Sequence, residues 1–257
     1  MKRAFDHCVE DYARHRPTYP PGVLDIITGK LGAPRCRPAL DVGAGTGIFT
    51  RQLAGLGWRV LALEPSSPML QRIRQTEDPV ATRVGITPLC GAAEQLPLAT
   101  ASVVLVAAAQ AFHWFNPPFA LAEFARVLPP GGLLALVWNN RDHQRSAFVR
   151  DYEALIGRYN VAYRREYREQ DWPAKIEAAG AFLPADYHRV DHLWRIAPEA
   201  FVGFSRSVSY IRNVLPRERL PHFESELRAL MTHHFGDRDC HIPLRTDLWT
   251  ARRGPEV

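Results

Sequence analysis

Several absences narrow this sequence first. No apolar stretch approaches the roughly 20 residues that a membrane-crossing helix needs. The start, Met1-Lys2-Arg3-Ala4-Phe5-Asp6-His7, carries no hydrophobic signal region, so a cytoplasmic protein with no membrane partner is expected. Four cysteines, Cys8, Cys36, Cys90 and Cys240, lie far apart without a C-x-x-C pair. That spacing suggests neither a metal site nor a disulfide framework, and it leaves reduced, mostly structural thiols. Lysine is scarce, because almost all of the 32 basic residues are arginines. A net charge of +5 could point to nucleic acid. The arginines, however, are scattered beside acids, as in Arg164-Arg165-Glu166 and Arg217-Glu218-Arg219, with no basic run interleaved with aromatics. That dispersion is the pattern of a solvated surface and argues against a nucleic-acid groove. Internal repeats and low-complexity linkers are also missing.

The chain has 257 residues, of which 46% are hydrophobic, enough for a large core. Its pattern alternates strands and helices. A helix is expected over 22–31 behind Pro20-Pro21. A strand ending in Asp41 precedes a helix from Ile48 that Gly55 and Gly57 close. A second strand, 58–65, leads to a helix through Met69 and Ile73, with Ser66 or Ser67 as N-cap. A third strand, 86–91, is confined to a sheet edge by Pro88. Val103–Ala109 is the most apolar run and reads as a central strand. A helix over 118–128 and a strand over 133–138 follow. Such repetition indicates an α/β fold with a doubly wound, mostly parallel sheet, whose ligands sit beyond the carboxyl ends of the strands. Beyond that, 146–180 reads as helical, 187–196 as a strand, 198–236 as two helices and 241–253 as a final strand. The aromatic segment 1–20 is expected to dock on the fold.

The stretch Pro38-Ala39-Leu40-Asp41-Val42-Gly43-Ala44-Gly45-Thr46-Gly47 organises this pattern. Glycines supply positive φ or let a ligand approach the backbone, and the following helix start presents unpaired N–H groups. The spacing is G-x-G-x-G, not the dinucleotide G-x-G-x-x-G, and no Lys-Ser/Thr pair follows as in a phosphate loop. Asp41 at the mouth of the turn would repel a pyrophosphate and could pair with an ammonium. Glu64, seventeen positions after Gly47 at the second strand's end, could accept from both ribose hydroxyls. Together they suit a nucleoside carrying an amino-acid group, with an ordinary glycine turn as the alternative.

Leu40-Asp41-Val42-Gly43-Ala44-Gly45-Thr46-Gly47 together with Glu64-Pro65-Ser66-Ser67-Pro68-Met69-Leu70 resembles the cofactor site of class I S-adenosylmethionine-dependent methyltransferases. So do Gly91-Ala92-Ala93-Glu94-Gln95-Leu96-Pro97, Ala108-Ala109-Gln110-Ala111-Phe112-His113-Trp114-Phe115 and Arg126-Val127-Leu128-Pro129-Pro130-Gly131-Gly132. The start, Tyr12-Ala13-Arg14-His15-Arg16-Pro17-Thr18-Tyr19-Pro20, is similar to the small-molecule branch of methyltransferase type 11, which includes trans-aconitate-methyltransferase-like enzymes. The resemblance implies a seven-stranded Rossmann-like sheet and S-adenosylmethionine as methyl donor, leaving S-adenosylhomocysteine. It implies that Asp41, Gly43 and Gly45 line the methionine moiety, Glu64 holds the ribose and Met69 packs on the adenine. Ala93 and Glu94 would sit at the adenine edge, Gln110 near the sulfonium, and Tyr12 and Arg16 at the cofactor carboxylate. Ala44 stands where Cys is common, Glu64 where Asp is common, and Ala101-Ser102-Val103-Val104 lacks the acid usual at the fourth strand's entry.

Residues 1–35 are then expected to close over the cofactor, 36–145 to form the cofactor-binding core, and 146–257 to hold a helical cap (about 197–236) and the last strands. In-line methyl transfer needs positioning in a dry pocket more than covalent help. His113 is the candidate base or substrate contact, with simple packing as the alternative, and Trp114, Phe115 and Trp138 could wall the pocket. The acceptor expected is a small molecule methylated at oxygen, by a monomer or homodimer. An RNA-modifying enzyme, or a cyclase or binding protein of the same fold, is the alternative.

Overall fold

The computed structural model describes residues 14–32, 37–75, 85–164 and 170–255. Its elements, in chain order, are α1 (Pro21–Leu31), β1 (Ala39–Val42), α2 (Ile48–Gly55), β2 (Val60–Leu63), α3 (Ser67–Arg74), β3 (Ile86–Leu89), β4 (Leu105–Ala109), a 3-10 turn (Phe112–Trp114), α4 (Pro117–Val127) and β5 (Leu133–Arg141). They continue with α5 (Ala147–Tyr159), α6 (Trp172–Ala178), β6 (Asp186–Ile196), α7 (Pro198–Ser207), α8 (Ser209–Arg212), a second 3-10 turn (Arg217–Arg219), α9 (Leu220–Phe235) and β7 (Cys240–Arg252).

The seven strands form one sheet in the order β3-β2-β1-β4-β5-β7-β6. Neighbours from β3 to β5 are parallel. β7 runs antiparallel to β5, since Gly131 N–H donates to Arg253 O and Asp142 N–H to Pro243 O. The sheet is thus mostly parallel, and Pro88 lies on its outermost strand, β3, where a missing N–H interrupts no second ladder.

Packing groups the described residues into two compact units. The first comprises those within 18–138, 170–190 and 246–257. Alternate side chains of its strands enter two cores. Leu40, Val42, Val106, Ala108, Leu134, Leu136 and Trp138 point to one. Ala39, Val60, Leu105, Ala107, Leu133, Ala135 and Val137 point to the other. The expected division at residues 35 and 145 is not the one that packing makes. Helix α1 buries Val23, Leu24 and Ile27 among the strand residues of the second core, and Leu248 of β7 joins them. Trp172, Ile176 and Phe182 enter the first core.

The second unit comprises the described residues within 14–17, 139–169 and 191–245. Its own core gathers Phe148, Tyr152 and Ile156 of α5, Phe201 and Phe204 of α7, and Phe223, Leu227 and Met231 of α9. The helical reading of 146–180 is corrected, because α5 stops at Asn160 (φ −135°, ψ 92°) and, among the described residues, the next helix begins after Asp171, whose side chain caps it. The two helices expected over 198–236 gain the short α8 and a 3-10 turn between them. Strand β5 also runs three residues past Trp138.

Candidate functional site

The register of β1 on β2 pairs Val42 with Leu63, so Asp41 and Glu64 arrive at the same end of adjacent parallel strands. The chain then turns tightly. Gly43 and Ala44 N–H both donate to Leu63 O, at 2.8 and 3.0 Å, and Gly47 N–H donates to Ala44 O at 2.9 Å. Gly43, Gly45 and Gly47 have φ of +71°, +57° and +84°, the left-handed region in which a side chain is strained. At Gly43 space is also lacking, since a Cβ there would stand 2.6 Å from Ala111 Cβ and 3.2 Å from Phe115 Cζ. Arg51 Nη1 closes the turn by donating to Thr46 O at 2.8 Å.

Both acids are buried. Glu64 Oε2 accepts from Gly45 N–H and Oε1 from Ser66 N–H, each at 2.9 Å. Ser66 is the N-cap of α3 as expected, but its side chain makes no cap; its N–H serves Glu64 instead. Asp41 Oδ2 accepts from Thr50 Oγ1 at 2.6 Å. Oδ1 is buried without a hydrogen bond among the described residues. Burial raises the Asp41 carboxyl from 3.8 to about 7; the Thr50 hydroxyl and N–H oppose the rise, and the Glu64 charge adds to it.

Beyond β4, Gln110 takes a left-handed φ of +56° and donates its N–H to Val137 O at 2.7 Å. This bend aims the Phe112–Trp114 turn across the glycine turn, where Ala111 and Phe115 meet Gly43. Trp138 Nε1 donates to His113 Nδ1 at 3.2 Å. Trp138 itself is buried and stacks on Trp172, with centroids 4.7 Å apart and planes 10° apart. It therefore backs His113. Phe115 is half-buried against Phe112 and Phe124, and Trp114 is exposed beside His113.

Asp41, Gly43, Gly45 and Glu64 are thus brought together within the first unit, Ala111 and Phe115 lie against Gly43, and Gln110 and His113 belong to the same 110–115 segment, His113 against Trp138. Met69 on α3 and Ala93 are buried in the same unit, and Glu94 Oε1 accepts from Asn116 N–H at 2.8 Å, ahead of α4. Arg16 belongs to the second unit, where it lies over the Phe204 ring at 5.2 Å and donates to Ser207 O at 3.4 Å. Tyr12 lies outside the described residues. Thr50 and Trp172 escaped the sequence reading. Thr50 had one available signal, a hydroxyl in the helix immediately after the acid and its turn.

Among the described residues no cluster of His, Cys, Asp or Glu could hold a metal ion, and no helix is long and apolar enough to cross a membrane.

A methyltransferase-domain family model matches residues 40–136, which span the glycine turn, both acids and the His113 turn. An uncharacterized methyltransferase of Mycobacterium tuberculosis is 34% identical over 233 residues, covering 91% of this chain and 88% of that protein. A malonyl-[acyl-carrier protein] O-methyltransferase of Alcanivorax borkumensis is 39% identical over 146 residues, covering 53% of this chain and 46% of that protein. Among solved structures, a candidate type II methyltransferase from Anaeromyxobacter dehalogenans superposes with a TM-score of 0.68 at 26% identity, covering 94% of this chain and 99% of that one. The turn that joins two buried acids across three glycines therefore lies in a chain that belongs to the class I methyltransferase family, and the protein is a methyltransferase.

Proposed function

We propose that the enzyme moves a methyl group from S-adenosylmethionine to an oxygen atom of a small-molecule acceptor. The observation that carries this reading is the pair of buried carboxylates at adjoining strand ends, one with an oxygen that has no hydrogen bond among the described residues, around glycines of positive φ of which Gly43 has no room for a side chain. Two buried acids oppose a polyphosphate and favour a ligand that carries positive charge. Asp41 Oδ1 fits an ammonium. Glu64 accepts from the Gly45 and Ser66 N–H groups, which hold its carboxylate at the end of β2, the place from which an acid accepts from ribose hydroxyls. The donor fits these residues.

S-adenosylmethionine, when bound, supplies an electrophilic methyl group on sulfur. The chain's part is to hold its partners in line and to exclude water. Asp41 and Glu64 fix the two ends of the donor, and the 110–115 turn supplies the wall next to Gly43. Oxygen as the atom methylated is supported by the malonyl-[acyl-carrier protein] O-methyltransferase, which is named for that chemistry and aligns over about half of this chain. The scattered arginines favour a small acceptor over RNA.

Incubation with methyl-labelled S-adenosylmethionine and a panel of small carboxylates and alcohols tests the reading. Label in an alkali-labile ester or a stable ether supports it. Label appearing only on nitrogen, carbon or RNA contradicts the choice of acceptor.

A further inference from the structure

Along the chain the arginines are scattered, but the second unit gathers several of them. Residues 158–164 end α5 and the turn after it, and 209–222 hold α8, the second 3-10 turn and the start of α9. These two stretches carry five arginines, Arg158, Arg164, Arg212, Arg217 and Arg219, and one acid, Glu218. The fold sets the stretches side by side. Arg219 lies over the Tyr159 ring at 5.0 Å, and Asn160 Nδ2 donates to Tyr210 O at 2.8 Å. Arg158 pairs with Glu226 of α9, which also accepts from Tyr159 Oη at 2.6 Å. Arg164, Arg217 and Arg219 are exposed and form no ion pair among the described residues.

Two apolar side chains stand among these charges. Val161 is 86% exposed and Val214 49%. A single exposed valine is ordinary, but these two sit on turns that the interior holds in place. Arg141 donates to both Tyr163 Oη and Tyr210 Oη, and the two tyrosine rings lie 4.8 Å apart, which ties the 160–164 turn to α8. Asn160 Oδ1 accepts from Ala162 N–H at 3.1 Å. Val214 and Leu215 N–H both donate to Ile211 O, at 3.2 and 2.8 Å. A surface fixed in this way loses little freedom when it is covered, and apolar side chains among arginines are the make-up of a protein interface.

We propose that this face docks an acidic protein, whose apolar side chains cover Val161 and Val214 while its carboxylates meet Arg164, Arg217 and Arg219. The charge of the face sets the sign of the partner. A nucleic acid is disfavoured because its bases seek open aromatic faces. Here Tyr163 and Tyr210 pack on each other, and Tyr159 packs on Phe223 at 5.3 Å with Arg219 over its ring. A bilayer is disfavoured because its interface takes tryptophan, phenylalanine and leucine, whereas the exposed large apolar side chains of these stretches are the two valines. Every residue invoked lies in the second unit, so the proposal does not depend on the methyl-donor reading of the glycine turn.

Fluorescence anisotropy of the full chain with a labelled amphipathic peptide of glutamate and leucine tests this. A glutamate-only peptide, a lysine–leucine peptide, single-stranded RNA and phosphatidylglycerol vesicles are the comparison probes. The glutamate–leucine peptide is expected to bind saturably at low salt and more weakly as salt rises, and the lysine–leucine peptide not to bind. Arg217→Glu with Arg219→Glu is expected to weaken that binding by about tenfold or more. Arg59→Glu with Arg74→Glu, the same change at exposed positions of the first unit, is the control and should leave it unchanged. Val161→Ser should weaken the glutamate–leucine peptide and not the glutamate-only one. Circular dichroism checks each fold, and Arg217→Gln with Arg219→Gln replaces the reversed pair if that pair does not fold. No saturable binding of the glutamate–leucine peptide, or an equal loss in the control pair, overturns the docking surface. RNA or vesicles bound more tightly than the peptide through Arg217 and Arg219 overturn the protein partner. A Val161→Ser variant that binds both peptides as the wild type does overturns the apolar seat.

Discussion

The Thr50 hydroxyl donates to Asp41 Oδ2 at 2.6 Å, while the opposite oxygen of that carboxylate is buried without a hydrogen bond among the described residues. Burial outweighs the help from Thr50, and the carboxyl titrates near 7, up from 3.8. Between those two values the folded chain holds a proton at Asp41 that the unfolded chain has lost. Its contribution to stability is therefore full below about 4 and is lost as pH rises through about 7. Thermal unfolding of the ligand-free protein is expected to show this decline. Asp41→Asn is expected to flatten it, and Thr50→Val to push the titration higher still.

The same residue couples donor binding to pH. An ammonium placed beside Asp41 favours its charged form. Binding of S-adenosylhomocysteine at pH 6 to 6.5, below the value of about 7 for the free carboxyl, is expected to release protons. Calorimetry in buffers of different ionisation enthalpy counts them. Asp41→Asn should abolish the release, and an unchanged count in that variant assigns the proton elsewhere.

Gly43 combines a positive φ of +71° with a Cβ position 2.6 Å from Ala111 Cβ. Gly43→Ala therefore meets left-handed strain and an overpacked contact together, for a loss of about 2–4 kcal/mol. It should also disturb the 110–115 turn and weaken S-adenosylhomocysteine binding. Gly55, at the end of α2, has open space around its Cβ position. Gly55→Ala is the control and should be neutral or slightly stabilising in urea unfolding.

Much of this arrangement could be read from the residues. The apolar runs ending in Asp41 and Glu64, with glycines between, specify strand, turn and helix through local chemistry. Pro88 marks an edge because it cannot donate to a second strand. What could not be read depends on contacts distant in sequence. Trp138 and His113 are 25 positions apart and meet only because β4 and β5 pair. Strand β5 extends through Asn139, Asn140 and Arg141, polar residues that end an apolar run on paper; in the fold Asn139 is buried and the chain pairs with β7 as far as Asp142. The break after Tyr159 is marked by no Gly or Pro, the next being Pro173. The grouping of 170–190 with the first unit depends on Trp172 and Ile176 entering a core built from residues 40–138.

In the second unit, Arg141 donates to Tyr210 Oη at 2.8 Å, Tyr163 Oη at 3.0 Å and Glu153 Oε1 at 3.3 Å, and lies over the Tyr152 ring at 5.1 Å. Its side chain and that of Glu153 are 10% and 11% exposed. Arg141→Ala removes the one partner that the Glu153 carboxylate has among the described residues and leaves its charge buried, a loss of about 3–5 kcal/mol. Arg141→Lys keeps the charge without the planar fork and should fall between. Hydrogen exchange should localise the loss to α5, α7 and α9, whose residues form this unit's core. Uniform protection across that core in Arg141→Ala contradicts this.

Glu64 ties the glycine turn to the start of α3, accepting from Gly45 and Ser66, and is assigned the ribose. Calorimetric titration of S-adenosylhomocysteine into the wild type and Glu64→Ala, with both shown to be folded by circular dichroism, puts that assignment to the test. Saturable one-to-one binding by the wild type, weakened at least about tenfold in Glu64→Ala by the loss of a charged hydrogen-bond acceptor, is the result expected. A folded wild type that does not bind, or a Glu64→Ala variant that binds equally well, would contradict the assignment of this turn to the methyl donor.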